Sequence, residues 1–113
     1  MLVINRFVVE EADAADFTAR AHAALAALAA RPGYLAGRLT RALDAPESWC
    51  LVTEWESVGS YRRALGGFDV KLHATPLLAR SLDEPSAYEA LAAAEPGGQV
   101  AAFASDRAVR PGR

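Results

Sequence analysis

The chain has 113 residues, with 12 Lys and Arg against 14 Asp and Glu, so its formal net charge is −2 at pH 7. A chain of this length forms one domain and is too short for two independent cores. Its basic residues are scattered and form no stripe that would neutralise a run of phosphates, which argues against a nucleic-acid partner. No apolar run is long enough to span a bilayer, and the N-terminus lacks a signal-peptide pattern, so we expect no membrane partner and a cytoplasmic protein. The lone Cys50, in an apolar run, predicts a buried, inert thiol in a reducing compartment.

The first thirty residues predict a strand followed by a helix. Residues 2–9 are rich in Val, Ile and Phe, which favours a strand whose side chains alternate between two faces. Asn5 then falls on an otherwise apolar face, where its amide needs a hydrogen-bonding partner. Residues 13–30 are dense in alanine, the best helix former, and this helix is expected to end at Pro32 and Gly33.

The middle of the chain predicts a hairpin and then more helix. Strands are expected at residues 34–43 and 48–56, and the short link between them has turn chemistry typical of an antiparallel pair. Ser57 can cap a second helix that runs to about residue 65, where two glycines break it. Helix is expected to resume over residues 68–82, with Pro76 interrupting it or beginning a new turn.

A weak fourth strand is predicted at residues 86–92, anchored by Tyr88 and Leu91. Beyond it the composition is rich in Gly, Ala, Pro and Arg, so we expect a domain over residues 1–94 and a flexible tail over residues 95–113. The order is β-α-β-β-α-β, the ferredoxin-like arrangement of the α+β class, with a four-stranded antiparallel sheet and helices on one face. The other sheet face also carries apolar residues, so a second copy of the chain is expected to cover it.

Three segments resemble the antibiotic biosynthesis monooxygenase family: PGYLAG at residues 32–37, LVTEWES at residues 51–57 followed by Tyr61, and EPSAYE at residues 84–89. The similarity covers roughly residues 1–92. It implies a dimeric α/β barrel in which two sheets face each other and each protomer keeps a pocket between its own sheet and helices. Characterised members include cofactor-free oxygenases acting on polycyclic phenols and anthrones, quinol oxygenases and haem-degrading enzymes.

The haem-degrading branch of that family uses an Asn on the first strand, a Trp on the second helix and a His that ligates the iron. Asn5 and His73 fall where that Asn and His would, whereas Ala64 stands at the Trp position. Trp55 is instead the strand tryptophan common to the wider family. The resemblance therefore keeps haem as an alternative cofactor, with His73 as its ligand. The tryptophan that the haem-degrading enzymes use is absent, which argues against cleavage of the haem ring.

From the resemblance and the residues together, we expect a monooxygenase that needs no cofactor and oxidises a small flat aromatic substrate, a phenol, anthrone or quinol, with O2. The predicted catalytic residues, which would hydrogen-bond the substrate or move its proton, are Asn5, Tyr61 and His73. The predicted substrate-binding residues, which would pack on the ring or offset phenolate charge, are Phe7, Arg38, Trp55, Ala64 and Phe68. Ordinary structural roles stay open for each: core or dimer packing for Trp55, an exposed position for Arg38.

Two other functions stay open at this point. The chain could bind or degrade haem through His73, or it could be a non-catalytic dimeric protein that sequesters a small aromatic molecule. The sequence has no glycine-rich phosphate loop, no nucleophile elbow and no Cys-x-x-Cys pair, which argues against dinucleotide and metal-cluster chemistry. His22 has no second ligand at a matching spacing and is expected to be structural.

Overall fold

A computed structural model describes residues 1–105 and places four strands in one antiparallel sheet, in the order β2-β3-β1-β4. These strands are β1 (Leu2–Val8), β2 (Tyr34–Arg41), β3 (Ser48–Trp55) and β4 (Ala87–Tyr88). The helices are α1 (Ala14–Ala29), which follows a 3-10 turn at Glu11–Asp13, α2 (Val58–Leu65), α3 (Phe68–His73) and α4 (Thr75–Leu78). The ferredoxin-like α+β prediction is therefore confirmed. Within residues 1–105, no helix is both long and apolar enough to cross a membrane.

The core lies between one sheet face and the helices. Strand alternation places Val3 and Phe7 of β1 and Trp49 and Leu51 of β3 on this face, and all four are buried. The rings of Phe7 and Trp49 pack edge-to-face on Phe17 of α1, with centroids 5.0 and 5.4 Å from it. The small side chains of α1 let the helix backbone lie close to these large aromatic groups.

The opposite sheet face is only partly covered. It carries Leu2 and Ile4, which are half-buried, and Val8, whose side chain is 61% exposed. Cys50 also lies here and is half-buried, so the prediction of a buried thiol was wrong. The reason is the strand period of two, which turns Cys50 away from the helices because its neighbours Trp49 and Leu51 face them.

The helical segment after α2 divides where the sequence suggested, but it ends at Leu78 and not at residue 82 as predicted. Gly66 caps α2, and α3 begins directly after Gly67. Pro76 stands in the first turn of α4, where its missing N–H costs no helical hydrogen bond, so it begins a new turn.

The C-terminal part departs furthest from the prediction. The fourth strand pairs with β1 only at Ala87–Tyr88, and its expected anchors are not buried, since Tyr88 is 36% and Leu91 55% exposed. Strand β5 (Ala92–Ala93) pairs instead with β6 (Ala101–Ala102), which lies inside the predicted tail. Residues 106–113 of that tail lie outside the described residues, and the domain boundary at residue 94 stays a prediction.

Candidate functional site

A cavity of about 620 Å³ opens beside the Asn5 face of the sheet, against α2 and the α3–α4 segment. We call it the inner cavity. Its wall is mostly apolar, with polar groups contributed by the strand, by α2 and by α3. The seven lining residues are Asn5, Tyr61, Leu65, Lys71, Thr75, Leu78 and Ala79. Two of the three predicted catalytic residues, Asn5 and Tyr61, therefore meet in one place.

Helix α2 brings Tyr61 to the cavity. Ser57 caps the helix as the sequence predicts, since its Oγ accepts a hydrogen bond from the backbone N–H of Ser60 at 3.0 Å. Tyr61 and Leu65 are four residues apart and therefore project from the same side of the helix. Both contribute to the cavity wall.

Trp55 supports Tyr61 from behind. Its indole N–H donates to Thr53 Oγ1 at 2.8 Å, and its side chain is fully buried. The Trp55 ring lies 5.5 Å from that of Tyr61 and 5.4 Å from that of Tyr34. Trp55 is not among the residues that line the inner cavity. The predicted substrate-binding tryptophan thus packs on the Tyr61 ring, and it borders a different pocket of about 420 Å³, beside Met1 and Leu35.

Two polar groups in the inner cavity have no hydrogen-bonding partner among the residues that the structure describes. Across residues 1–105, neither the Asn5 amide nor the Tyr61 hydroxyl makes a side-chain hydrogen bond, although both residues are half-buried. The Thr75 hydroxyl, by contrast, donates to the carbonyl of Val70 at 3.4 Å. Burial raises the pKa of the Tyr61 phenol, so it stays protonated at neutral pH and can donate a proton in a hydrogen bond.

Lys71 is the charged residue of the inner cavity, and sequence reasoning missed it. It is the single lysine of the chain, beside eleven arginines. Neither ion pair found in the described part of the chain includes it, and no Asp or Glu is among the residues lining the cavity. The sequence pattern gives no reason to treat a lysine on a short helix as anything but a surface residue. The one feature that could have drawn attention to Lys71 is that all the other basic residues are arginines.

His73 lies elsewhere, in a cleft of about 270 Å³ between α1 and the α3–α4 segment. We call it the outer cleft. Its seven lining residues are Arg20, Ala23, Leu72, His73, Pro76, Leu77 and Arg80. The structure thus brings Asn5 and Tyr61 together and leaves the third predicted catalytic residue outside their cavity.

The remaining predicted substrate-binding residues do not line the inner cavity either. Phe7 and Ala64 are 2% and 1% exposed and belong to the core. Phe68 is 79% exposed, because it is the first residue of α3 and projects away from the core side marked by buried Val70. Arg38 is exposed on β2, opposite Val52 of the partly covered sheet face.

These positions do not fit a haem group. Its predicted ligand, His73, is exposed in the small outer cleft beside Arg20 and Arg80, whereas Asn5 belongs to the inner cavity. Ala64, at the position of the missing tryptophan, is packed in the core with no space for an indole. In the part of the chain that the structure describes, no group of three or more His, Cys, Asp or Glu side chains could hold a metal ion directly, an arrangement that a haem iron does not need.

Comparison with known proteins gives a consistent family assignment. The family model of antibiotic biosynthesis monooxygenase matches residues 1–71. SnoaB, a cofactor-independent oxygenase from Streptomyces nogalater, is 27% identical, with 97% of this chain and 95% of that chain covered and a TM-score of 0.61. A variant of SnoaB is 25% identical, with coverages of 96% and 94% and a TM-score of 0.62.

A conserved protein from Methanosarcina mazei Go1 shares the fold at 20% identity, with 76% of this chain and 84% of that chain covered and a TM-score of 0.63. No curated protein sequence matches the chain significantly.

Proposed function

Because the chain belongs to the antibiotic biosynthesis monooxygenase family, we propose that it is a cofactor-independent monooxygenase that oxidises a small flat aromatic substrate with O2. The observation that carries this proposal is the inner cavity, where the unpartnered Asn5 amide and Tyr61 hydroxyl stand in an apolar wall. SnoaB, to which the chain is similar over almost its whole length, is a cofactor-independent oxygenase and supports the same chemistry.

The inner cavity suits a planar, mostly apolar molecule with one or two oxygen atoms. Leu65, Leu78 and Ala79 offer apolar surface to its rings, and they displace water from the reacting carbon. Asn5 and Tyr61 offer hydrogen bonds to a phenolic or keto oxygen, which fixes the orientation of the ring. The polar atoms of Asn5 and Tyr61 are not buried away from water, so a ligand that enters must replace their hydration with hydrogen bonds of its own.

The reaction needs no external reductant. An anthrone-like methylene loses a proton to water, and the anion that remains is stabilised on the ring oxygen by hydrogen bonds from Tyr61 and Asn5. This electron-rich anion reduces O2, a C–O bond forms, and the resulting hydroperoxide loses water to leave a carbonyl. One CH2 group and one O2 thus become one C=O group and one H2O. The side chains supply orientation, desolvation and a hydrogen bond to the developing charge.

Oxygen uptake tests the proposal. Purified protein treated with a chelator is mixed with anthrone in an oxygen electrode, with no cofactor added, and the quinone is quantified by absorbance. We expect uptake above the buffer rate, with one O2 consumed for each quinone formed. Uptake at the buffer rate across anthrones, quinols and naphthols would overturn the proposal.

A second candidate function uses the same cavity without turnover. No His, Asp or Glu is among the seven lining residues, which favours a protein that sequesters an aromatic molecule rather than deprotonating it. Saturable binding of the aromatic probes in calorimetry, with oxygen uptake at the buffer rate, would establish this function in place of the first.

We further propose that the chain acts as a homodimer, in which the partly covered sheet face packs against a second copy. The exposed Val8 and the half-buried Leu2 and Ile4 lie on that face, and burying them stabilises a dimer. Light scattering at micromolar concentration checks this, with a dimer mass expected; a single monomer mass would contradict it.

A further inference from the structure

We propose that Lys71 makes the inner cavity selective for aromatic ligands that carry an ionised acidic substituent, such as a carboxylate. This inference rests on the proposed function and narrows its substrate class. It states which end of the molecule lies at the cavity mouth, and which residue recognises it.

The charge of the inner cavity comes from one residue. Lys71 is the one residue of fixed charge among the seven that line it, and the other polar residues there are neutral. Neither of the two ion pairs in the described chain involves it. An ammonium group at the edge of an apolar wall attracts an anion, although the water at the cavity mouth keeps this attraction modest.

The backbone of Lys71 is anchored in α3. Its backbone N–H donates to the carbonyl of Gly67 at 2.9 Å, in the first turn of α3. The neighbouring Val70 and, one turn on, Ala74 are fully buried and fix this helix on the core. Lys71 itself is exposed, so its flexible stem can lie along the cavity wall while the ammonium stays in water at the mouth.

Lys71 differs in exposure from the other two polar residues that would contact the ligand. Asn5 and Tyr61 are half-buried, whereas Lys71 is exposed. A ligand that satisfies all three residues therefore carries a neutral oxygen on the ring that lies inside and an acidic group at the opposite, solvent-facing end. The arginines of the outer cleft differ, because Arg20 pairs with Asp16 at 2.9 Å and Arg80 lies 5.6 Å from the Phe17 ring centroid.

The test compares two probes of one shape, 2-anthracenecarboxylate and its neutral carboxamide, by isothermal titration calorimetry at low ionic strength. We expect the wild-type protein to bind the carboxylate about 2- to 5-fold more tightly than the amide. Lys71→Met should abolish this preference, and Lys71→Arg should keep most of it. Arg62→Met is the matched control, since it removes one charge from an exposed residue of α2 that does not line the cavity, and it should keep the preference.

The outcomes separate this inference from the function on which it rests. Equal wild-type affinity for the two probes, or a preference that survives Lys71→Met, would overturn the role of Lys71 and leave the oxygenase proposal standing. Failure of both probes to bind would overturn both. A second measurement labels the single lysine directly. The carboxylate should slow the reaction of Lys71 with trinitrobenzenesulfonate, which is measured by mass spectrometry of the peptide that contains Lys71. An unchanged reaction rate would contradict the contact between Lys71 and the carboxylate.

Discussion

The inner cavity and the outer cleft lie on two sides of one short helix, and they differ in volume and in whether their polar side chains have partners. Lys71 and His73 are two residues apart in α3, yet the first lines the inner cavity and the second the outer cleft. The inner cavity has about 620 Å³ of space and polar groups without partners, whereas the outer cleft has about 270 Å³ and arginines already in contact with Asp16 and Phe17.

The difference shows why residue type alone misleads in a helix. Successive side chains turn by about 100° around the axis, so residues two apart project to nearly opposite sides. Histidine attracts attention because its ordinary pKa suits proton transfer, but here the helix turns it away from the sheet. The chemically plainer lysine is the one that the helix turns toward Asn5 and Tyr61.

The largest effect that separates the two regions is expected in turnover. Asn5→Leu keeps the side chain's shape and removes its hydrogen bond to the substrate anion, so we expect kcat/KM for anthrone oxidation to fall about 10- to 100-fold. His73→Leu, which changes the outer cleft, should leave kcat/KM within about two-fold. Oxygen uptake measures both.

The reverse pattern of activity losses would contradict the assignment of the reaction to the inner cavity. A large loss in His73→Leu with normal turnover in Asn5→Leu would place the reaction in the outer cleft. Circular dichroism of both variants serves as the control, because each substituted side chain is half-buried or exposed and the fold should persist.

A smaller effect is expected when each region is filled. Ala79 lines the inner cavity and Ala23 the outer cleft, and both are exposed alanines in the helical layer. Ala79→Phe places a ring where the substrate lies, so the affinity for an aromatic ligand should fall about 10-fold. Ala23→Phe should leave it unchanged. Calorimetry with 2-anthracenecarboxylate measures both, and equal losses in the two variants would show that the ligand does not distinguish the two regions.

Most of the fold could be predicted from the sequence because it depends on local patterns. The strand period of two placed Asn5 and Phe7 on the same face of the first strand, and the cap at Ser57 began α2 where expected. The C-terminal strand could not be predicted in the same way, since its pairing depends on partners far along the chain. Leu91 looked like an anchor by hydrophobicity, yet β4 ends at Tyr88.

The site was predictable only in part, and the reason is again geometric. Asn5 stood out as a polar residue on an apolar strand face, and that signal led to the inner cavity. Trp55 and Ala64 were assigned to a ligand by their family positions, but both are buried and neither lines the inner cavity. Helix rotation and the packing between elements decide which of several nearby residues reaches a cavity. Neither can be predicted from a single sequence.

A modest effect of pH on the free energy of unfolding tests whether the Tyr61 phenol is shielded from water. Burial raises the pKa of this phenol in the folded state, so the folded protein holds its proton more tightly than the unfolded chain. The resulting stability is present in full below about pH 10, the ordinary value for tyrosine, and is lost as the pH rises through the folded pKa. Urea unfolding between pH 8 and 11 should therefore show a steeper decline for the wild type than for Tyr61→Phe. Parallel declines would contradict a buried phenol.

For haem, we expect no binding effect at all. An iron ligand at His73 would need a porphyrin to sit in the outer cleft, which has about 270 Å³ and lies apart from Asn5. Titration of purified protein with haemin should therefore give no saturable Soret shift, and His73→Ala should give the same spectrum as the wild type. A stoichiometric shift that His73→Ala removes would show that the outer cleft opens to a large planar ligand. The division between a reactive inner cavity and a passive outer cleft would then be wrong, because the α3–α4 segment would have to move to admit the ring.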